Sequence, residues 1–343
     1  MCCLYCIAII AGRYSLVVYN LIWFLFFIIL FNDLNVLQIP ILTVTKSTPT
    51  ALNLISIYGM IFYVIIPLLF EGFVTRNSMS LSKQESEFLA SFSAKGKTIF
   101  TFQDALEFWK TTDAATNSLG RLVKKRWLFR LENGLYMIIP LEAGPEREWS
   151  ENALVISSNL VSPGAVAYWS AMRFWNMTEQ LPLVQFVQTT KRKQPVSIQG
   201  INYRFITVLE KRFFGLMIRR IDDQSITVTD REKTLIDAAS RPDLSGGIIQ
   251  LAEAMSTASN QIDWEKLTRY LDVWEGGAVT KRLGYLLEVL SLPIPNRELI
   301  VSKWQTIISK GISSLEPGSP KVGPTITRWQ LQNNVPGLLP KAE

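Results

Sequence analysis

The sequence predicts an α+β fold, and three observations carry that reading. Residues 80–140 hold three short amphipathic stretches at helical spacing, followed at once by a hairpin signal. Residues 183–228 turn to runs rich in β-branched and aromatic residues, and residues 229–310 return to helical patterns. Strands and helices segregated in this way suit an α+β arrangement better than a doubly wound sheet. The expected organisation is an apolar segment at 1–78, a first folded unit at 79–142, a mixed α+β unit with a helical C-terminal part at 143–310, and a flexible tail at 311–343.

The apolar segment carries no charge over residues 14–31 and none over residues 47–70. Residues 14–31 and 51–70 are therefore two candidate transmembrane helices, each long enough to cross the hydrocarbon core. Arg13 on one flank, with Arg76 and Lys83 on the other, would leave both ends of such a hairpin in the cytoplasm, anchored at the inner membrane. The competing reading comes from Met79. There MSLSKQESEFLASF opens normally charged sequence and looks like the start of a soluble cytoplasmic protein, which would make residues 1–78 a mis-assigned start.

From Ser82 the elements follow in order. Ser82 with Glu85 forms a capping-box pattern, and Phe88, Leu89 and Phe92 give an apolar stripe. Lys95-Gly96-Lys97 breaks the chain. Thr101 caps a second short helix with Asp104 in its first turn and Ala105, Leu106 and Trp109 facing inward. A third helix spans residues 113–126, entered through Thr111-Thr112, with Leu119, Leu122, Val123 and Trp127 on one buried face. Asn117, Ser118, Arg121, Lys124 and Lys125 occupy the opposite face. Between residues 114 and 131 there is no acid, while Arg121, Lys124, Lys125, Arg126 and Arg130 are all basic. Asn133-Gly134 then predicts a type I′ turn between two strands.

Three short helices followed by a hairpin form the winged variant of helix-turn-helix, in which the third helix enters the major groove of duplex DNA. On that reading Thr112, Ala115, Asn117, Ser118 and Arg121 read bases, while Lys124, Lys125, Arg126, Arg130 and the turn residue Asn133 face the backbone. Cations near a helix C-terminus also satisfy the macrodipole without any ligand. Arg121 in mid-helix, Arg130 on a strand and the missing acids favour DNA.

Beyond Glu142-Ala-Gly-Pro145, helices are expected at 149–160 and 163–176, the second with Ser162 as cap and Pro163 at its first position. Tyr168, Trp169, Phe174 and Trp175 read as core. Strands follow at LVQFVQTT, INYRFITV, MIRRI and SITVT, with Lys191-Arg192-Lys193 on a connection. Thr229 and Glu232 suggest a second capping box ahead of REKTLIDAAS. Further helices run to about residue 259, over DWEKLTRYLDVW with Asp263 as cap, and at 277–290 and 296–310. Asp222, Asp223, Asp230 and Asp237 take turn and cap roles.

The sequence excludes several chemistries. Histidine is absent, and the cysteines are Cys2, Cys3 and Cys6. Zinc sites built from Cys and His, and Ser-His-Asp or Cys-His catalysis, are therefore ruled out beyond residue 6. There is no phosphate-binding loop, dinucleotide fingerprint or EF-hand spacing. The expectation is a non-enzyme without cofactor or metal.

The chain resembles the AbiEi antitoxin family of type IV toxin–antitoxin systems, predicted transcriptional regulators of viral defence. The resemblance rests on RLVKKRWLFRLENGLYMIIPLE (121–142), VSPGAVAYWSAMRFWNMTEQLP (161–182) and FVQTTKRKQ (186–194). It continues through YRFITVLEKRFFG (203–215), VTDREKTLIDAASRPDLSGGI (228–248) and GGAVTKRLGYLLEVL (276–290). It covers residues 80–310; the apolar segment departs from the family pattern. The resemblance implies a transcriptional autorepressor that binds inverted repeats in its own operon promoter. It also implies an antitoxin in abortive-infection phage defence that counteracts a nucleotidyltransferase-like toxin without requiring a stable complex. Two other functions compete: a membrane-anchored winged-helix regulator sensing an envelope signal, and an enzyme that modifies the toxin or a nucleotide.

Overall fold

The computed structural model describes residues 80–338. The two candidate transmembrane helices lie outside the described residues. Among the described residues no helix is long and apolar enough to cross a membrane. The architecture is mixed α+β, with ten α-helices and three sheets among the described residues.

The chain opens with α1 (Lys83–Ser93), β1 (Ile99–Thr101), α2 (Phe102–Trp109) and α3 (Thr112–Lys124), then β2 (Leu128–Glu132) and β3 (Leu135–Ile138). The expected capping box of Ser82 with Glu85 forms and starts α1, and Thr101, expected as a cap, forms a full box with Asp104 at the start of α2. Thr111 caps α3, its Oγ1 accepting from the Ala114 amide at 3.3 Å. The three strands make an antiparallel sheet in the order β1-β3-β2, and β1 is an addition to the expected hairpin. At its turn Gly134 takes φ +78° while Asn133 stays out of the left-handed region, so the turn is not type I′. A register shift between Arg130 and Glu132 supplies the twist instead.

The small sheet is buried on both faces. Phe100, Leu128 and Ile138 meet Phe88, Leu89, Leu119 and Leu122 of the helices. On the other face Ile99, Leu131, Leu135 and Met137 share a core with Val155, Ile156, Val187, Tyr203 and Phe205. The expected boundary at 142/143 therefore does not separate two cores. The near-continuous apolar runs WLFRL and LYMII are the pattern of strands covered on both sides.

The second part continues with α4 (Ala153–Leu160), β4 (Ala165–Val166), α5 (Tyr168–Phe174), β5 (Val184–Thr189), β6 (Val196–Ile198), β7 (Ile201–Thr207), β8 (Leu216–Ile221) and β9 (Gln224–Thr229). They build a six-stranded sheet in the order β6-β7-β5-β4-β9-β8. The β5–β7 and β4–β9 pairs are parallel and the others antiparallel. The helix expected to begin at Pro163 starts at Tyr168, because Ala165 and Val166 are drawn into the sheet between β5 and β9.

Helices α6 (Arg231–Ser240), α7 (Gly247–Ala258), α8 (Trp264–Trp274), α9 (Gly277–Val289) and α10 (Arg297–Thr306) follow. Asp230 is the cap of α6, accepting from the Lys233 amide, so the expected box between Thr229 and Glu232 does not form. Glu232 instead accepts from the Asp263 amide and Lys266 Nζ, both at 2.9 Å. Asp237 has neither a turn nor a cap role: it is fully buried, 2.5 Å from Lys233 Nζ. The expected flexible tail is corrected over residues 311–338. There β10 (Ser313–Ser314), β11 (Thr325–Ile326) and β12 (Leu331–Gln332) form a small sheet, and Leu315, Trp329 and Leu331 plug the helical core.

Candidate nucleic-acid interface

Phase along α3 decides which side chains face out. Ala115, Ser118, Leu119 and Leu122 fall at helical spacing and form the buried stripe. Ala115 is 0% exposed and Ser118 5%, so neither reads a base; the sequence expectation for both is corrected. Each lies in the phase of Leu119 and Leu122, on the face turned to the core. Thr112, Asn117, Arg121 and Lys124 are exposed as expected, joined by Asp113, Thr116 and Gly120.

Glu85 organises the cations. It is 1% exposed and closes the capping box of α1 by accepting from the Ser82 amide at 2.9 Å. The same carboxylate accepts from Arg121 Nε at 3.0 Å and from Lys125 Nζ at 2.7 Å. Burial pushes this carboxyl up. The hydrogen bonds from Lys125, the Ser82 amide and Arg121 outweigh that effect and hold it at about 2, below the ordinary 4.5. One carboxylate thus pins α1 to α3.

The clamp changes two assignments. Lys125 is mostly covered and tied to Glu85, so it is a structural cation rather than a phosphate contact. Arg121 is half exposed, with Nε on Glu85 and Nη2 donating to Ser118 Oγ at 2.9 Å. One edge of its guanidinium is taken and the far end faces out. Lys124 is exposed and has no ion-pair partner among the described residues.

The remaining candidates lie on the hairpin side. Arg126 is exposed with φ +57°, its Nη1 donating to the Glu146 carbonyl at 3.3 Å. Arg130 is exposed on β2, an edge strand, and its Nη2 donates to Asn133 Oδ1 at 2.5 Å. Glu132 on the same strand accepts from Lys193 Nζ, which also donates to the Leu160 carbonyl. Lys193 therefore ties the hairpin to the second part rather than extending a cationic track. Lys191 Nζ likewise donates to the Ser162 carbonyl, and Arg192 stays exposed. Because one face of the small sheet is buried against the second part, the hairpin offers its β2 edge and its tip.

Sequence reasoning missed Glu85 as a clamp and Gly120 as part of the outer face. The signals were present: a capping-box acid has a second oxygen to share, and a glycine in mid-helix calls for a reason. No group of three or more His, Cys, Asp or Glu side chains among the described residues can hold a metal ion. Clefts of about 680 and 740 Å³ open in the helical part, lined by Trp264, Arg269 and Leu299 and by Glu288, Arg297 and Arg328. Neither cleft includes a residue of α3.

No protein-family model matches the chain, and no curated protein does. A crystal structure of the RV2827C protein from Mycobacterium tuberculosis is similar at 15% identity and a TM-score of 0.47, covering 74% of this chain and 92% of that one.

Proposed function

We propose that this chain is a DNA-binding transcriptional autorepressor and the antitoxin of a type IV toxin–antitoxin system acting in phage defence. In this reading α3 is the recognition helix of a winged helix-turn-helix, and the small sheet is its wing. Thr112, Asn117 and the free end of Arg121 meet base edges in the major groove of duplex DNA. Lys124, Arg126 and Arg130 meet phosphates and set affinity rather than sequence preference. The partner is the operator in its own promoter, and the functional counterpart is a nucleotidyltransferase-like toxin.

The observation that carries the DNA-binding half is the outer face of α3. It is polar, ends in Lys124, which has no ion-pair partner among the described residues, and carries Asp113 as its one acid, in the first turn where the macrodipole favours it. The antitoxin half is supported by the order of motifs over residues 80–310 that resembles the AbiEi family.

The test is a gel-shift titration of the full chain against duplex DNA from upstream of its own gene, with a scrambled duplex as competitor, over a series of salt concentrations. Saturable binding that outcompetes the scrambled duplex is the expected result. Equal binding to both duplexes would overturn the repressor reading.

A further inference from the structure

We infer that Gly120 marks the closest approach of α3 to the bases of the major groove, a contact that any β-carbon would block. The inference rests on the DNA-binding reading of α3. Gly120 lies within a thirteen-residue helix, is exposed, and a Cβ built on it would meet nothing within 4 Å among the described residues. Its φ lies outside the left-handed region. Neither packing nor backbone geometry among the described residues asks for glycine here, yet glycine weakens a helix interior.

Gly284 in α9 provides the contrast. A Cβ there would lie 2.2 Å from the Trp329 ring, so the fold itself requires that glycine. Gly120 has no such neighbour, and close approach of backbone to a ligand is the remaining physical use of a glycine at ordinary helical φ. Thr116 and Asn117 stand one turn before it and Lys124 one turn after, which centres Gly120 on the outer face. That face exposes no apolar side chain of the kind that anchors a protein partner. Its polar surface with a cation at the end suits a duplex instead.

The experiment compares the full wild-type chain with Gly120→Ala, by thermal melting and by titration against the upstream duplex and a scrambled one. Gly120→Ala should melt at a higher temperature. It should bind the upstream duplex about tenfold more weakly, the size of one lost base contact. Its binding to the scrambled duplex should be unchanged. A variant with wild-type affinity and preference overturns the inference and leaves the DNA-binding reading standing. A lower melting temperature overturns it too, since the glycine would then serve the fold. Normal DNA binding with an altered oligomeric state would assign Gly120 to a protein contact, which also overturns it. Wild-type protein that does not distinguish the duplexes removes the DNA-binding reading, and the inference with it.

Discussion

Helix α6 carries Arg231, Glu232, Lys233 and Asp237 over ten residues, and α3 carries Asp113, Arg121 and Lys124 over thirteen. In α6 three of those charges are buried. Lys233 Nζ sits 2.5 Å from Asp237 Oδ1 and 3.3 Å from Gln188 Oε1, and it lies 5.2 and 5.1 Å from the Phe214 and Trp274 ring centres. Burial pushes the Asp237 carboxyl up, against the pull of Lys233. Asp230 beside them takes Lys266 and the Tyr270 hydroxyl. These charges are used up within the protein. At α3 the buried carboxylate of Glu85, reaching across from α1, takes Arg121 and Lys125, and Lys124 has no ion-pair partner among the described residues. The charges of α6 are spent inside the protein, whereas Lys124 on α3 stays exposed, which is why the proposed interface is placed there.

That contrast can be broken at either end. The largest effect is expected in α6. Asp237→Ala leaves Lys233 buried without its counter-ion and should cost about 3–5 kcal/mol, read from urea unfolding. The double change Lys233→Met with Asp237→Leu should recover most of the loss; if it does not, the pair does more than neutralise itself.

Glu85→Ala comes next. It removes a helix cap and two ion pairs, but the cations left behind reach solvent, so the expected cost is about 2 kcal/mol. The pH dependence has a definite sign. The carboxyl stands at about 2 in the folded chain against an ordinary 4.5, so its contribution is complete above about 4.5. It is lost as pH falls toward 2, because the unfolded chain takes up the proton first. Unfolding midpoints followed down through that window should fall for the wild type and lack this contribution in the variant. Identical acid limbs would place the acid sensitivity elsewhere.

The smallest expected effect on stability is at Lys124. Lys124→Ala should leave unfolding within about 0.5 kcal/mol of wild type. It should weaken binding to every duplex alike and reduce the salt slope by about one. A drop confined to one sequence would move Lys124 from the phosphates to the bases.

Much of the fold was legible in the sequence because its signals are local. Ser82 with Glu85 and Thr101 with Asp104 mark helix starts that need no tertiary context, and the strands from β5 to β9 show β-branched and aromatic runs. The candidate interface was legible in part. Thr112, Asn117 and Lys124 face out as read, whereas Ala115 and Ser118 lie one phase step inward, a distinction that composition cannot make. Other features depend on partners distant in sequence. Glu85 meets Arg121 and Lys125 only once α1 packs on α3, and the small sheet gains its second core only when α4 and β7 arrive. The tail hides behind its prolines and glycines, yet Trp329 is fully buried and its Nε1 donates to Glu288 at 2.6 Å. Asp237 is hidden by its own charge, although Leu235, Ile236, Ala238 and Ala239 around it are the mark of a helix covered on all sides.

The proposed role of the outer face of α3 is to read base sequence. Its most direct test selects bound duplexes from a randomised pool with the full wild-type chain and with Asn117→Ala. A defined preferred sequence is expected for the wild type, relaxed in the variant at one or two adjacent base pairs and unchanged elsewhere. The same preferred sequence from both proteins would contradict it, because Asn117 would then face no base.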